Sequence, residues 1–282
     1  MPRSGPSVCR AGHLAFPSSL PGFLTVYSLR VQVNGNSKIS GKNSIVGRLI
    51  LVRHGQASAF TDDYDRLSEK GGRQARLLGK WWTERGLRIS SVFCGPLKRQ
   101  KGTAEIVIKE MERSGIRVPD PVFIEGLKEI EADRIMAHFD RVKAEYPEMD
   151  RLIRAYGESN DHQERGTIFQ EYFERGMLLW VSGKAEAPDI ESISEFRGRV
   201  LEALETIMCS RRASGDTVVF SSAGPVTIMA GHLLGLDSIK TLELTFRLRN
   251  CSVTEFALIS RGAVLQQFNC TGHLPADLVT IR

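Results

Sequence analysis

The sequence lacks the features that mark several common protein classes. No apolar run approaches the ~20 residues of a membrane span, so we expect no association with a membrane. The cysteines form no C-x-x-C pair, and no Cys/His spacing fits a zinc site; they are Cys9, Cys94, Cys209, Cys251 and Cys270. An odd number of cysteines without a pattern is typical of a reducing compartment. We therefore expect no metal site and a cytoplasmic location.

Cys94 and Arg99 also fail to form the phosphate loop of cysteine-dependent phosphatases. That loop resembles C-x5-R, whereas four residues intervene here. A nucleophilic Cys94 is therefore not expected.

Acidic residues are absent from the first 47 positions. That segment contains five basic residues, Arg3, Arg10, Arg30, Lys38 and Lys42, out of 38 in the chain. Subtracting them leaves 33 basic residues from position 48 onward, against 33 acidic residues. The body of the protein is neutral despite the net charge of +5. This balance does not indicate a protein that binds the nucleic-acid backbone.

Residues 1–45 are rich in serine, glycine and proline and have little periodicity. This composition predicts a disordered or loosely attached extension before a single domain at 46–282. A segment that carries arginine and no acid is also typical of an organelle transit peptide, so a mitochondrial location is the alternative. A mis-assigned start codon or a simple extension explains the segment equally well.

From residue 46 the pattern alternates between strands and helices. This alternation predicts a parallel sheet with right-handed crossovers, in an α/β three-layer sandwich whose mostly parallel central sheet is flanked by helices. Residues 131–190 are charged and helical, which predicts a helical cap inserted at the active edge of the sheet. We predict three closing strands, at 242–246, 252–258 and 263–268.

Polar residues follow three of the predicted strands. Arg53 and His54 end the apolar run at 49–52, and Arg99 lies just after the second strand. Ser221 and Ser222 precede a helix N-terminus after a later strand. The carboxyl ends of parallel strands meet at one edge of a sheet, where such folds bind ligands. Guanidinium groups, an imidazole and free helix amides together predict an anion site.

Two stretches of sequence resemble the histidine phosphatase (phosphoglycerate-mutase-like) superfamily. The first is Leu51-Val52-Arg53-His54-Gly55, and the second is Gly95-Pro96-Leu97-Lys98-Arg99 with Thr103-Ala104. That family shows an R-H-G strand end followed by S-P-L-x-R-A-x-x-T-A. Asp65-x-Leu67-Ser68-x-x-Gly71 also looks like its first helix. The resemblance covers about residues 47–282.

The resemblance implies a role for each matching residue. His54 would be the nucleophile that takes the phosphoryl group, provided that a partner on the other ring nitrogen fixes its tautomer. Arg53 and Arg99 would bind the phosphoryl oxygens. Glu129, in Leu127-Lys128-Glu129-Ile130, fits best as the general acid. Neighbouring Glu125, Glu131 and Asp133 remain alternatives.

Alanine replaces the second histidine of the family. The family pattern is V-x-S-H-G, whereas this chain has Phe220-Ser221-Ser222-Ala223-Gly224. A hydrogen bond to a charged group contributes ~1.5–3 kcal/mol, so its loss slows a reaction about tenfold to a hundredfold. We expect the Ser222 hydroxyl and the Ala223 and Gly224 amides to replace it in part.

A second departure follows the R-H-G motif. The mutase-type branch has an asparagine about six residues after the histidine, and Phe60 stands there in this chain. Gln56 and Ser58 are the substitutes that we predict to contact the substrate. His273 is a candidate for the role of the missing histidine, whereas His232 in an apolar helix is interpreted as structural.

These residues predict a cofactor-free phosphoric monoester hydrolase that works through a phosphohistidine at His54. Its partners would be a small-molecule phosphate ester or a phosphorylated protein, with no nucleic acid and no membrane. The alternative is a weakly active or inactive relative that binds a phosphorylated ligand or a protein partner in the same pocket. Ala223 favours this alternative, and the Arg53, His54, Arg99 and Glu129 set favours the enzyme.

Overall fold

The computed structural model describes residues 45–58, 65–184, 189–212 and 215–281. The predicted N-terminal extension, apart from Ile45, lies outside the described residues, and so does Phe60.

A six-stranded sheet forms the centre of the fold, with strand order β3-β2-β4-β1-β5-β6. The strands are β1 (Ile45–Arg53), β2 (Ile89–Cys94), β3 (Val122–Phe123), β4 (Asp216–Ser221), β5 (Val253–Ile259) and β6 (Gly262–Cys270). The first four strands run parallel to one another, and β5 and β6 pair antiparallel at the other edge. The predicted α/β class with a mostly parallel sheet is confirmed.

The helices alternate with the strands as far as β3; four helices then precede β4, and two more separate β4 from β5. They are α1 (Glu69–Glu84), α2 (Lys98–Arg113), α3 (Ala132–Val142), α4 (Pro147–Glu158), α5 (His162–Val181), α6 (Ile193–Ser210), α7 (Ala223–Leu234) and α8 (Ser238–Arg247). None of them, within the described ranges, is long and apolar enough to cross a bilayer.

The central position of β1 explains its apolar sequence. Successive side chains of a strand point to opposite faces of the sheet. Leu49 and Leu51 accordingly join the core that contains α6 and α7, and Ile50 and Val52 join the core that contains α1 and α2. Burial on both faces contributes roughly 1.5–3 kcal/mol for each such side chain. The strand that carries the R-H-G motif is therefore rigidly held.

Helices α3, α4 and α5 occupy the segment that we predict as a cap, residues 131–190. Phe139 and Met149, from α3 and α4, are completely buried, and Tyr172 on α5 donates its hydroxyl to Asp140 at 2.6 Å. Phe139, Met149 and Tyr172 belong to the same core as Leu49 and Leu51 of β1, so the cap helices pack as an extension of the main core.

The strand predicted at 242–246 is wrong, because these residues lie in α8. Leu-Glu-Leu-Thr-Phe alternates as a strand does, but stronger local signals favour a helix. Asp237 caps the helix by accepting from the Lys240 amide at 2.8 Å, and Lys240 pairs with Glu243 one turn on. Thr241 and Leu242 form the buried face. The other two closing strands are confirmed as β5 and β6.

Candidate active site

The backbone of His54 is held from both sides at the end of β1. Its amide donates to the Ser221 carbonyl at 2.8 Å, and its carbonyl accepts from the Cys251 amide at 3.0 Å. The Asn250 side chain donates to the same carbonyl at 3.4 Å. The side chain is only 6% exposed. The imidazole is therefore fixed at the carboxyl edge of the sheet.

The hydrogen bonds of His54 assign its tautomer. Nδ1 lies 2.7 Å from the Gly55 carbonyl, which only accepts, so Nδ1 carries the hydrogen. Nε2 accepts from Arg99 Nε at 3.1 Å and therefore carries the lone pair. Burial, followed by the charges of Arg53 and Arg99, holds the pKa of His54 well below its ordinary value. At neutral pH the ring is neutral, which is the form that a nucleophile requires.

Arg99 is oriented by an ion pair with Asp65. It lies in the first turn of α2, and its Nη1 donates to Asp65 Oδ1 at 2.7 Å. The other carboxylate oxygen of Asp65 accepts from the Lys98 amide at 2.8 Å. The Arg99 side chain is 12% exposed. Asp65 thereby joins the loop before α1 to the start of α2 and sets the direction of the guanidinium.

Arg53 directly precedes His54 in the chain and is the last residue of β1. Its Nη1 donates to the carbonyls of Leu248 and, at 2.7 Å, Ile281. Two backbone segments that follow α8 and β6 thus position this guanidinium. Arg53, His54 and Arg99 all line the same cavity, as we predicted from their places after the strands.

Glu129 lies at the N-terminus of α7. Its Oε2 accepts from the Gly224 amide at 3.0 Å, and its Oε1 accepts from the Ile130 amide at 3.0 Å. A Cβ on Gly224 would overlap the Glu129 carboxylate and come within 2.9 Å of the Phe196 ring. Glycine at 224 is therefore what allows the Glu129 carboxyl group to lie against the helix end.

The alternatives to Glu129 occupy other surroundings. Glu131 pairs with Lys128 at 2.9 Å and with Arg134 at 2.9 Å, and the Lys128 hydrogen bond is the main cause of its lowered pKa. Asp133 is exposed at the cavity margin, and Glu125 lines a smaller neighbouring cavity of about 650 Å³. Among the four acids, Glu129 alone bonds to the start of α7.

Ala223 lines the cavity beside Gly224; that it replaces the family's second histidine stays a prediction from the sequence. Histidines other than His54 do not compensate for it within the described residues. His273 is buried against the Trp81 ring at 5.6 Å, outside the cavity lining. His232 lies near the C-terminal end of α7. This side of the cavity therefore presents a methyl group rather than an imidazole.

The remaining predicted contact residues, Gln56, Ser58 and Ser222, are not part of the cavity lining. Gln56 accepts from the Ser68 hydroxyl at 3.0 Å, and the Ser58 amide donates to the Arg66 carbonyl at 2.8 Å. Ser222 is fully buried, and its hydroxyl accepts from Gln100 Nε2 at 2.9 Å. Their contact with a substrate stays a prediction.

Sequence reasoning missed Gln100, which is completely buried under the site. Its Oε1 accepts from the Leu97 amide at 3.0 Å, and its Nε2 donates to the Leu127 carbonyl at 3.0 Å as well as to Ser222. It thereby joins the start of α2, the segment before Glu129 and the end of β4. Asp65 and Asn250 were missed as site residues too. Asp65 follows the R-H-G motif closely, which is a signal that the sequence did offer.

The described residues give no support to a metal site or to a cysteine nucleophile at Cys94. They contain no group of three or more histidine, cysteine or acidic side chains placed to hold a metal ion. Burial raises the pKa of the Cys94 thiol to about 12, and its Sγ donates to the Gly95 carbonyl at 3.3 Å. Cys94 is thus a buried core residue whose thiol is held in the protonated form.

The cavity above these residues has a volume of about 1700 Å³. The sheet edge forms its floor, and helices α3, α5 and α8 contribute to its walls. The set of a neutral imidazole, two guanidiniums, a carboxylate and a helix N-terminus suits a phosphoryl group.

A family model of the histidine phosphatase superfamily (branch 1) matches residues 49–181 and 169–271. The chain belongs to this superfamily. The curated relatives include the serine/threonine-protein phosphatase Pgam5, mitochondrial, of Drosophila yakuba, 26% identical over 129 residues, or 45% of this chain and 40% of that protein. The 2,3-bisphosphoglycerate-dependent phosphoglycerate mutase of Bartonella henselae is 34% identical over 76 residues, 25% of this chain and 37% of that protein. The chain thus spans about two fifths of the length of either relative.

Solved structures of the superfamily share the fold. A histidine-to-alanine variant of phosphoserine phosphatase from Entamoeba histolytica, in complex with phosphoserine, has a TM-score of 0.53 at 19% identity, over 81% of this chain and 100% of that one. A putative alpha-ribazole-5'-P phosphatase from Escherichia coli has a TM-score of 0.51 at 20% identity, over 79% of this chain and 97% of that one. At such identities the likeness extends to the fold and no further.

Proposed function

We propose that this protein is a phosphoric monoester hydrolase in which His54 Nε2 is the phosphoryl acceptor. The observation that carries the proposal is the hydrogen-bonded state of His54. Gly55 holds the hydrogen on Nδ1, and Nε2 keeps its lone pair toward Arg99, 3.1 Å away. A phosphoryl group that enters between Nε2 and Arg99 meets the nucleophile and a cation together.

The first chemical step transfers the phosphoryl group to the protein. The Nε2 lone pair attacks phosphorus, the bond to the leaving oxygen breaks, and Glu129 in its carboxylic acid form gives that oxygen a proton. Arg53 and Arg99 offset the charge on the phosphoryl oxygens in the transition state. The Nδ1–H bond to Gly55 stabilises the positive charge that the ring acquires.

The second step releases phosphate. Water attacks the phosphohistidine, Glu129 takes one proton from that water, and the N–P bond breaks with its electron pair returning to Nε2. Inorganic phosphate leaves, and Glu129 is again an acid. The cycle requires no cofactor. The substrate is a small-molecule phosphate ester or a phosphorylated protein; Pgam5 is named as a protein phosphatase, whereas the structural relatives are named for small molecules.

Ala223 supports the alternative function, which is binding of a phosphorylated ligand without turnover. A hydrolysis assay with 4-nitrophenyl phosphate distinguishes the two functions when the wild type is compared with His54→Ala. We expect the wild type to release nitrophenol and His54→Ala to release none above background. Equal release by both proteins would rule out the hydrolase. Saturable binding of phosphate without turnover would establish the binding function instead.

A further inference from the structure

The cavity above His54 is much larger than a phosphoryl group needs. Its volume of about 1700 Å³ exceeds the range of roughly 300–1,000 Å³ that is common for small-molecule sites. The phosphoryl group is confined to the sheet edge by Arg53, His54 and Arg99. Most of the cavity is thus available to the group that the phosphate esterifies.

That remaining volume has a mainly apolar wall. Large apolar side chains come from cap helices α3 and α5 and from α8; they are Met136, Phe169, Phe173, Met177, Leu242 and Phe246. Phe173 and Phe246 meet in a T-shaped contact at 6.2 Å between ring centroids, which joins the cap to α8. Phe169 remains 45% exposed.

Polar groups on the same cap helices bond among themselves. Asp140 accepts from the Tyr172 hydroxyl, and Glu174 accepts from the Gln170 amide. These carboxylates are therefore engaged by protein donors. The cap consequently offers a leaving group mainly apolar contact, although charged residues also line the cavity, among them Asp133, Arg134, Arg197 and Arg247.

We propose that the site selects phosphate monoesters of bulky, mainly apolar alcohols or phenols, which place their carbon skeleton against Phe169, Phe173 and Phe246. This inference rests on the proposed function. Burial of an additional aromatic ring against this wall supplies binding energy that a small polar ester lacks. The apolar wall thus determines specificity, while the sheet edge performs the chemistry.

A pair of aryl esters with similar leaving groups tests the inference. We expect kcat/KM for 4-biphenylyl phosphate to exceed that for phenyl phosphate by about tenfold to a hundredfold. For the same reason, kcat/KM for hexyl phosphate should exceed kcat/KM for ethyl phosphate. Equal values within each pair would overturn the inference, and so would a preference for a bisphosphate, which would implicate Arg197 and Arg247.

Substitutions in the apolar wall test whether its aromatic residues cause the preference for the larger ester. Phe173→Ala and the more exposed Phe169→Ser should each lower the biphenylyl-to-phenyl ratio about threefold to tenfold. Phe123→Ala is the matched control, since Phe123 is 54% exposed and lies outside the cavity lining. Unchanged ratios in both wall variants, with native melting temperatures, would contradict the inference. Absence of any His54-dependent hydrolysis would instead overturn the proposed function itself.

Discussion

Arg99 Nε donates to His54 Nε2 at 3.1 Å, and the same guanidinium pairs with Asp65 at 2.7 Å. The cation therefore lies at the atom that we assign as the phosphoryl acceptor. It also contributes to the lowered pKa of His54, after burial and the charge of Arg53. One side chain thus helps to keep the imidazole neutral and lies where we propose that the phosphoryl group binds.

Asp65→Asn should weaken this arrangement. The ion pair is partly exposed, with 29% exposure of the Asp65 side chain, so its own contribution to stability is small. The loss of orientation matters more, because misplaced catalytic groups slow reactions strongly. We expect kcat/KM for an aryl phosphate to fall about tenfold. Glu110→Gln, which breaks an ion pair with Arg113 on the same helix, should leave kcat/KM unchanged; equal effects of both substitutions would contradict the role of Asp65.

Ala223→His should restore the missing imidazole. Ala223 lines the cavity at the start of α7, so a longer side chain there can reach a bound phosphoryl group. A regained hydrogen bond to a charged group, at ~1.5–3 kcal/mol, predicts a tenfold to hundredfold rise in kcat/KM. Ala223→Leu controls for size. Equal rates in Ala223→His and the wild type would show that the site has compensated by another route.

Gly224→Ala should disturb Glu129. The added methyl group overlaps the carboxylate that bonds to the Gly224 amide. We expect kcat to fall about tenfold or more because the general acid is displaced. Gly157→Ala is the control, since a Cβ at that helical glycine meets nothing within 4 Å and should stabilise α4 by about 0.5–1 kcal/mol. A Gly224→Ala enzyme with wild-type kcat would remove Glu129 from the mechanism.

His273 should make the fold sensitive to acid. Burial lowers its pKa from 6.5 to about 4. The unfolded chain then binds a proton near pH 6.5, whereas the folded protein binds none until about pH 4. Stability is therefore lost as the pH falls through this window, by about 1.4 kcal/mol per pH unit and roughly 3 kcal/mol in total.

His273→Phe tests this pH dependence by urea unfolding at several pH values. The variant keeps a ring against Trp81 and removes the titrating group. Its free energy of unfolding should fall less steeply between pH 6.5 and 4 than that of the wild type. Parallel curves for the two proteins would show that His273 does not contribute.

The parts of the fold with strong local signals were predictable. Leu49 to Val52 form an uninterrupted apolar run, and burial on both faces of the sheet follows from it. The cap was predictable as helical because residues 131–190 are rich in charge and contain no strand pattern. The segment 242–246 was wrongly predicted as a strand. Its five alternating residues are a weaker signal for a strand than the Asp237 cap before them is for a helix.

The site was predictable to the extent that it depends on strand ends. Arg53, His54 and Arg99 converge because parallel strands end at one edge. Gln100, which lies beneath them, was not predictable, since it acts through contacts that only tertiary structure creates; for Asp65 the sequence offered only its place soon after the R-H-G motif. Likewise, the apolar cavity wall combines side chains from helices far apart in sequence.

Trapping of a phosphoenzyme tests the central assignment most directly. The protein is mixed with an aryl phosphate labelled in the phosphoryl group, quenched in alkali within a single turnover, and digested for mass spectrometry. We predict an acid-labile phosphoryl group on the peptide that contains His54, and none in His54→Ala. A wild-type enzyme that hydrolyses the ester under these conditions while the label appears on another residue, or on none, would contradict the account.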